Sequence, residues 1–401
     1  MAHGVSPALS LHRPTWAEVD LDIIAANLAT VRQRLGATDV LAIVKADAYG
    51  HGAVPVARRL EREGVAWMGV ALPEEGVEIR RAGIAAPILV LGGFAPAQAG
   101  LVLEYRLTTA VFRPEQVDAL AAAAAARGAE ADVHVKIDTG MGRLGVPTAG
   151  LAAFADRLAA ATRVKVTGAF SHLAVADEPG DPFTATQLQE FLRCVSLMRA
   201  RGLHPDLLHL ANSPAITDHR AAWMTLARPG LLLYGYNPGP RSAMLPVRPA
   251  LTLKSRIIDM RQIAAGSSVG YGRAWKAEAA STIATLGIGY ADGLPRSAGN
   301  RGHVLVHGRR APIVGRVNMD LTTIDISAIP EATIDDIAVV IGRSQGEGAG
   351  ADALAAAAGT IPWEILARLG GRIPRLHLEG GRGTLDSRFA APLDESDDAA
   401  L

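Results

Sequence analysis

Eight short apolar runs, separated by stretches of helical period or composition, constrain this chain more than any other feature of its sequence. The runs are residues 40–46, 66–72, 87–92, 108–112, 132–138, 164–170, 207–211 and one within 224–233. Each has the length of a strand buried on both faces, which needs no polar alternation. Segments such as 23–35, 54–63, 115–127 and 186–201 carry helical period or composition between them. Eight strand–helix units in about 220 residues is the size of a TIM (β/α)8 barrel, an α/β fold whose chemistry sits at the carboxyl ends of its strands.

The grammar changes after residues 237–249, where four prolines and a glycine interrupt the helical period. Short strands are expected beyond it at 251–260, 281–287, 303–306, 313–317, 321–326 and 337–341, followed by helical pieces at 352–358 and 363–369. The division expected is a barrel over 14–245, a mostly-β domain over 246–378 and a flexible tail over 379–401. With 49% apolar residues, the 401-residue chain has material for both cores. Forty basic and forty acidic residues cancel, so no nucleic acid and no anionic membrane is expected as a partner. No apolar run reaches the length of a membrane span, residues 1–14 hold no export signal, and the single Cys194 reads as core packing. A reduced, cytoplasmic protein is expected.

The residues that carry chemistry fall at strand ends. Lys45 closes the first run and leads into Ala46-Asp47-Ala48-Tyr49-Gly50-His51-Gly52. An ammonium at the edge of an apolar layer has a lowered pKa and can form a Schiff base, although a solvated lysine at a barrel rim is the plain alternative. If the chain coils after Lys45, Tyr49 faces the same way. The fifth strand runs from Lys136 into a glycine-flanked Arg143 suited to a carboxylate, and the sixth ends at His172, which reads equally as a structural histidine. The seventh and eighth supply Asn212-Ser213 and Arg228-Pro229-Gly230-Leu231, the two loops where barrels of this kind hold phosphate. A phosphate site opposite a Schiff-base lysine points to pyridoxal phosphate, with Arg228 placed to face the pyridine nitrogen and keep it unprotonated. Farther on, Tyr271 stands between two glycines and reads as either a proton donor or a turn residue. Gly315–Asp320 is a second tight motif, also readable as a capped turn.

Together these motifs resemble the alanine racemase family of fold-type III pyridoxal phosphate enzymes. The resemblance rests on VKADAYGHG at 44–52, DTGMGRLG at 138–145, SHLA at 171–174, ANS at 211–213, RPG at 228–230, VGYG at 269–272, GYADG at 289–293 and GRVNMD at 315–320. It implies a head-to-tail homodimer in which each β-domain completes the partner's active site. Lys45 would bind the cofactor covalently and act as the base on one face of Cα, and Tyr271 of the other subunit as the base on the opposite face. His172 and Arg228 would tune Tyr271. Tyr49, Ser213, Gly230 and Leu231 would hold the phosphate, with Asn212 supporting them. Arg143 and the Met319 N–H would take the substrate carboxylate, Tyr290 and Asp320 would shape the entrance, and Lys136 matches a lysine carbamylated in some members.

Three positions depart from the family pattern. Asn318 stands where many members have cysteine or serine, Trp363 replaces a tyrosine, and Gly371 falls where some place a phosphate-binding tyrosine. The activity implied is interconversion of L- and D-alanine for peptidoglycan. A broad-spectrum racemase of the same fold, acting on serine, lysine or arginine, and a non-catalytic cofactor carrier are the alternatives.

Overall fold

The computed structural model describes residues 13–178, 180–239 and 243–385, in two compact units. Residues 23–248 form one, a nearly closed barrel of eight parallel strands: Asp39–Ile43, Trp67–Val70, Ile88–Val90, Thr108–Val111, Ala131–Asp138, Val164–Phe170, Leu207–His209 and Leu226–Ala227. They follow the eight apolar runs in order, and the last pairs with the first through Leu226 opposite Asp39. Backbone bonds from Thr225 to Leu208 and from Arg228 to Ala211 join the seventh strand to the eighth. The strands are mostly apolar because helices cover their outer face and side chains fill the interior, with exceptions such as the exposed Asp132 and Lys165 near the amino ends of the fifth and sixth. Toward the carboxyl ends that interior turns polar, with Lys136, Thr139, Ser171, His209 and Arg228 all buried.

The other unit contains residues 249–385 and the described residues of 13–22. Its backbone is the long strand Leu251–Ile263, bent by a bulge between Ile257 and Asp259. One half pairs with Thr15–Asp20 and Ile337–Ser344, and the other with Ser281–Leu286, so a single strand serves two sheet segments.

Three expectations need correction. The barrel does not start at residue 14, because Thr15–Asp20 pairs antiparallel with the long strand and parallel with Arg375–Glu379. Its Thr-Trp-Ala-Glu-Val-Asp pattern suits a sheet with one face buried and the other partly toward solvent, and the partners lie more than 230 residues away. The tail does not begin at 379, since Arg382–Leu385 folds back on Arg375–Glu379 as a hairpin; 386–401 lie outside the described residues. The strand expected at 313–317 is instead Arg309–Pro312, with a single bridge from Ile313 to Ile324.

Candidate active site

Lys45 opens a turn of unusual hand. Ala46, Asp47, Ala48 and Tyr49 all have φ between 52 and 54°, a left-handed helical turn built from residues with side chains. Each such residue costs about 1–2 kcal/mol over its right-handed form, so the turn stores about 4–8 kcal/mol. Glu75 is the clip that holds it: one carboxylate oxygen accepts from the Ala46 N–H at 2.7 Å, and the other from Ala71 at 2.7 Å and Leu72 at 3.1 Å. Asp47 accepts from the Ala53 N–H at 2.7 Å at the far side of the turn. Beneath it, the Tyr49 ring lies 5.0 Å from that of Tyr234, whose hydroxyl donates to the Ile43 carbonyl at 2.7 Å.

Glu75 was not legible as a site residue, although a glutamate at the third position of a helix opened by Pro73 signals a capping carboxylate. Glu75→Gln keeps its size but weakens charge-assisted bonds to three N–H groups. The expected cost is about 1–3 kcal/mol in denaturant unfolding.

The polar groups at the strand ends converge on one cationic cluster. Burial lowers the Lys45 pKa, Arg143 and Arg228 lower it further, and Glu75 opposes them. Lys136, buried beside the Phe170 ring and donating to the Leu91 carbonyl at 3.2 Å, is brought down to about 8 by burial and then by Arg143, Arg228 and Lys45. Arg143 itself is exposed on its glycine-rich loop, which Asp138 braces by accepting from the N–H groups of Gly140 and Gly142.

Arg228 organises the floor. Its guanidinium donates to the carbonyls of His209 at 2.8 Å, Ser171 at 2.8 Å and Leu210 at 3.1 Å. It also donates to Nδ1 of His209 at 3.0 Å and lies 3.4 Å from Nδ1 of His172. An arginine cannot accept, so both imidazoles receive at Nδ1 and carry their proton on Nε2. His172 is pushed down to about 3, by burial first and then by the surrounding cations, and stays neutral at ordinary pH. His209 in turn donates its Nε2–H to Nδ1 of His134 at 2.8 Å. Sequence alone did not point to His134 or His209, because a histidine inside a barrel strand has no local signature.

Ser213, Gly230 and Leu231 come together at the seventh and eighth strand ends. The Gly230 N–H donates to the Ser213 hydroxyl at 3.0 Å, which leaves the hydroxyl proton to point elsewhere. A side chain at Gly230 would put its Cβ 2.7 Å from the Tyr49 hydroxyl, so only glycine fits against that ring. Asn212 caps the following helix through the Ala215 N–H. Leu231 and Leu232, fully buried at the start of a 3₁₀ turn, have N–H groups that donate to nothing among the described residues. Two buried orphan donors, a hydroxyl and the tyrosine make an anion cradle, which fits a phosphate. The Arg228 Nε–H likewise lacks a described partner, as a donor awaiting a ring nitrogen would. Lys45, Arg228 and this cradle together suit pyridoxal phosphate.

In the other unit, Tyr271 sits at the tip of a small hairpin, Ser268–Val269 with Trp275–Lys276, and is 71% exposed. Tyr290, Met319 and Asp320 form a separate surface cluster. The turn Tyr290–Asp292 lies on the Asn318–Leu321 loop through Tyr290 N–H to the Asn318 carbonyl and Ala291 N–H to the Met319 carbonyl, both 2.9 Å. Gly289 permits this approach, since a Cβ there would fall 2.3 Å from the Met319 oxygen. The Met319 N–H donates to no described group. Trp363 is half-buried on the helix Pro362–Ala367.

Comparison with known proteins gives one consistent outcome. Residues 19–238 match the sequence profile of the alanine racemase N-terminal domain, and residues 250–377 that of the C-terminal domain. The alanine racemase of Symbiobacterium thermophilum is 43% identical over 367 residues, 91% of this chain and 97% of that protein. The Cutibacterium acnes alanine racemase is 42% identical, covering 90% and 97% of the two chains. Among solved structures, alanine racemase from D-cycloserine-producing Streptomyces lavendulae superposes with a TM-score of 0.89 at 38% identity, covering 92% of this chain and 98% of that one. Alanine racemase of Clostridium difficile 630 gives 0.90 at 32% identity, covering 94% and 99%.

Proposed function

The chain belongs to the alanine racemase family of isomerases, and from that premise we propose that it interconverts L- and D-alanine with pyridoxal phosphate in a homodimer whose subunits share each active site. The observation that carries this reading is the pairing of Lys45, whose pKa is lowered first by burial and then by Arg143, with an anion cradle built from Ser213, Gly230, Leu231 and Tyr49. When bound, the cofactor supplies an aldehyde that amines capture covalently and a ring that withdraws electrons from Cα.

The chain's own residues do the rest. Lys45, neutral as an amine more readily than an ordinary lysine, takes or returns the proton on one face of Cα. Tyr271 of the partner subunit does the same on the opposite face, and a base on each face is what inversion requires. His172 stays neutral and offers its Nε2 proton toward that phenol. Arg228, anchored on three carbonyls, would donate to the ring nitrogen of a bound cofactor and, being protonated itself, would leave that nitrogen without a proton, which favours a brief proton transfer at Cα. Arg143 and the Met319 N–H hold the substrate carboxylate, and Tyr290 and Asp320 narrow the entrance. A racemase of this kind would work in the cytoplasm and provide D-alanine for peptidoglycan.

The test is optical rotation together with deuterium entry at Cα, for L-alanine, L-serine, L-lysine and L-arginine separately in deuterated water with added cofactor. Fastest loss of rotation with alanine supports the proposal. Faster turnover of a longer substrate replaces it with the broad-spectrum racemase, and no exchange with any of them leaves only a cofactor carrier.

Lys136 is the residue this reading assigns to carbamylation. Carbon dioxide reacts with the neutral amine, and a pKa of about 8 raises that fraction at neutral pH by about 300-fold over an ordinary lysine. At fixed dissolved carbon dioxide, carbamate should therefore grow as pH rises toward 8. A carbon-13 carbamate resonance from labelled bicarbonate should appear in the native protein and vanish in Lys136→Met.

A further inference from the structure

The surface cluster of Tyr290, Met319 and Asp320 rests on a buried charge that has no part in the chemistry above. The Asp292 side chain is completely buried, a costly place for a carboxylate unless it is paired. Arg13 meets it at 2.6 Å, Arg372 lies 3.4 Å away, and the Gly289 N–H donates to it at 3.1 Å. Arg372 reaches on to Asp320 at 2.7 Å, and Arg13 also donates to the Arg372 carbonyl at 2.7 Å. The result is a chain of alternating charge, Arg13–Asp292–Arg372–Asp320, that runs beneath the Tyr290 turn and ends beside Met319.

Two strips meet over that chain, and both are short irregular backbone. The turn at 290–292 is held to the loop at 318–321 by the two backbone bonds described above, plus Thr322 donating to the Ile288 carbonyl at 2.7 Å. Backbone bonds fix how the strips are spaced, but a loop can still pivot about them. Asp292 caps the turn through Gly289, and Arg372 ties the same carboxylate to Asp320 on the loop, so the charge chain removes the pivot. The Met319 N–H, which donates to nothing described, lies on this loop.

We infer that Asp292, acting through Arg372, is the positioning residue that sets the Met319 N–H and the Tyr290 turn as one rigid carboxylate-binding edge. This rests on the proposed role of Met319 as a substrate-carboxylate donor. The residue touches no substrate; it works by denying the loop a second orientation.

The test uses the full-length holoenzyme and its variants Asp292→Asn and Arg372→Gln, the second at a half-exposed side chain whose loss leaves the core intact. Propionate, a carboxylate of the substrate's size without its amine, serves as the probe and is titrated by calorimetry beside alanine kinetics. Each variant should raise the KM for alanine and weaken propionate binding by about tenfold, with kcat within about twofold, because the loss falls on carboxylate placement rather than proton transfer. The double variant should lose little more than either single, since both break one chain. A lower melting temperature with unchanged propionate affinity and KM in both variants would make the chain merely structural and overturn the inference. Native protein that racemises alanine but binds propionate no differently after Met319→Pro, which removes the N–H, would overturn the assumed role of Met319 while leaving the racemase reading in place. A native protein that does neither sinks both.

Discussion

Replacing Lys45 with alanine should lower racemisation by about four to six orders of magnitude, because the proposed mechanism asks one residue both to hold the cofactor covalently and to move the proton on one face of Cα. The cofactor's lysine-bound absorbance should disappear with it. Stability should move the other way. Burial and neighbouring cations depress the Lys45 pKa in the folded chain. The unfolded chain therefore binds more protons between the folded and unfolded pKa values, and stability rises with pH across that window. Below both values the penalty is present in full. Apo Lys45→Ala should thus melt no lower than the native apo protein at pH 7 and show a shallower gain on going to alkaline pH. Differential scanning fluorimetry across pH reads both effects. A variant that unfolds earlier would mean that the ammonium is held by partners that outweigh its burial.

Tyr271→Phe should cost about two to four orders of magnitude, the usual worth of a positioned acid–base group, and the loss should be one-sided. In the proposed mechanism Lys45 alone would still remove and return a proton on its own face. One enantiomer of alanine should therefore exchange its Cα proton for deuterium with retention, and the other should be inert. The shared-site reading makes a sharper demand when Lys45→Ala and Tyr271→Phe proteins are mixed and allowed to exchange subunits. A heterodimer then carries both defects in one site and none in the other, so random pairing returns about a quarter of native activity. If Tyr271 served its own subunit, every site in the heterodimer would hold one defect and nothing would return. Subunit mixing thus tests the dimer and the origin of the second base together.

The barrel was legible because its strands are covered on both faces. A run such as Ile88–Val90, buried at every residue, must be apolar wherever the helices around it lie, and the count of such runs carries the topology. Lys45, Ser213 and Arg228 were legible for the complementary reason: a charged or polar residue at the end of an apolar strand has no packing role to explain it. Thr15–Asp20 was not, since its sheet partners are remote in the chain, and a six-residue alternating stretch reads the same alone as it does paired. The strand expected at 313–317 failed for a related reason. Its apolar residues pack inward from a loop, with Val314 and Val317 buried but held by a single bridge rather than a ladder.

By itself, then, the sequence determined which groups are present at the barrel's carboxyl ends, because strand length and polarity are local properties that hydrophobic burial reads directly. What the tertiary structure alone decided is how those groups are aimed and charged. Nothing local in Ala46–Tyr49 favours a left-handed turn, and alanine disfavours one; Glu75, reaching over from the next strand's end, makes it possible. Nothing local makes His172 neutral or sets its tautomer; burial in the folded barrel does the first, helped by the cations around it, and Arg228, 56 residues along the chain, does the second. Asp292 likewise becomes a buried strut only when Arg13 and Arg372 arrive from opposite ends of the chain. Electrostatics at a few ångströms depends on distance in space, and residues far apart in sequence acquire that proximity only by folding.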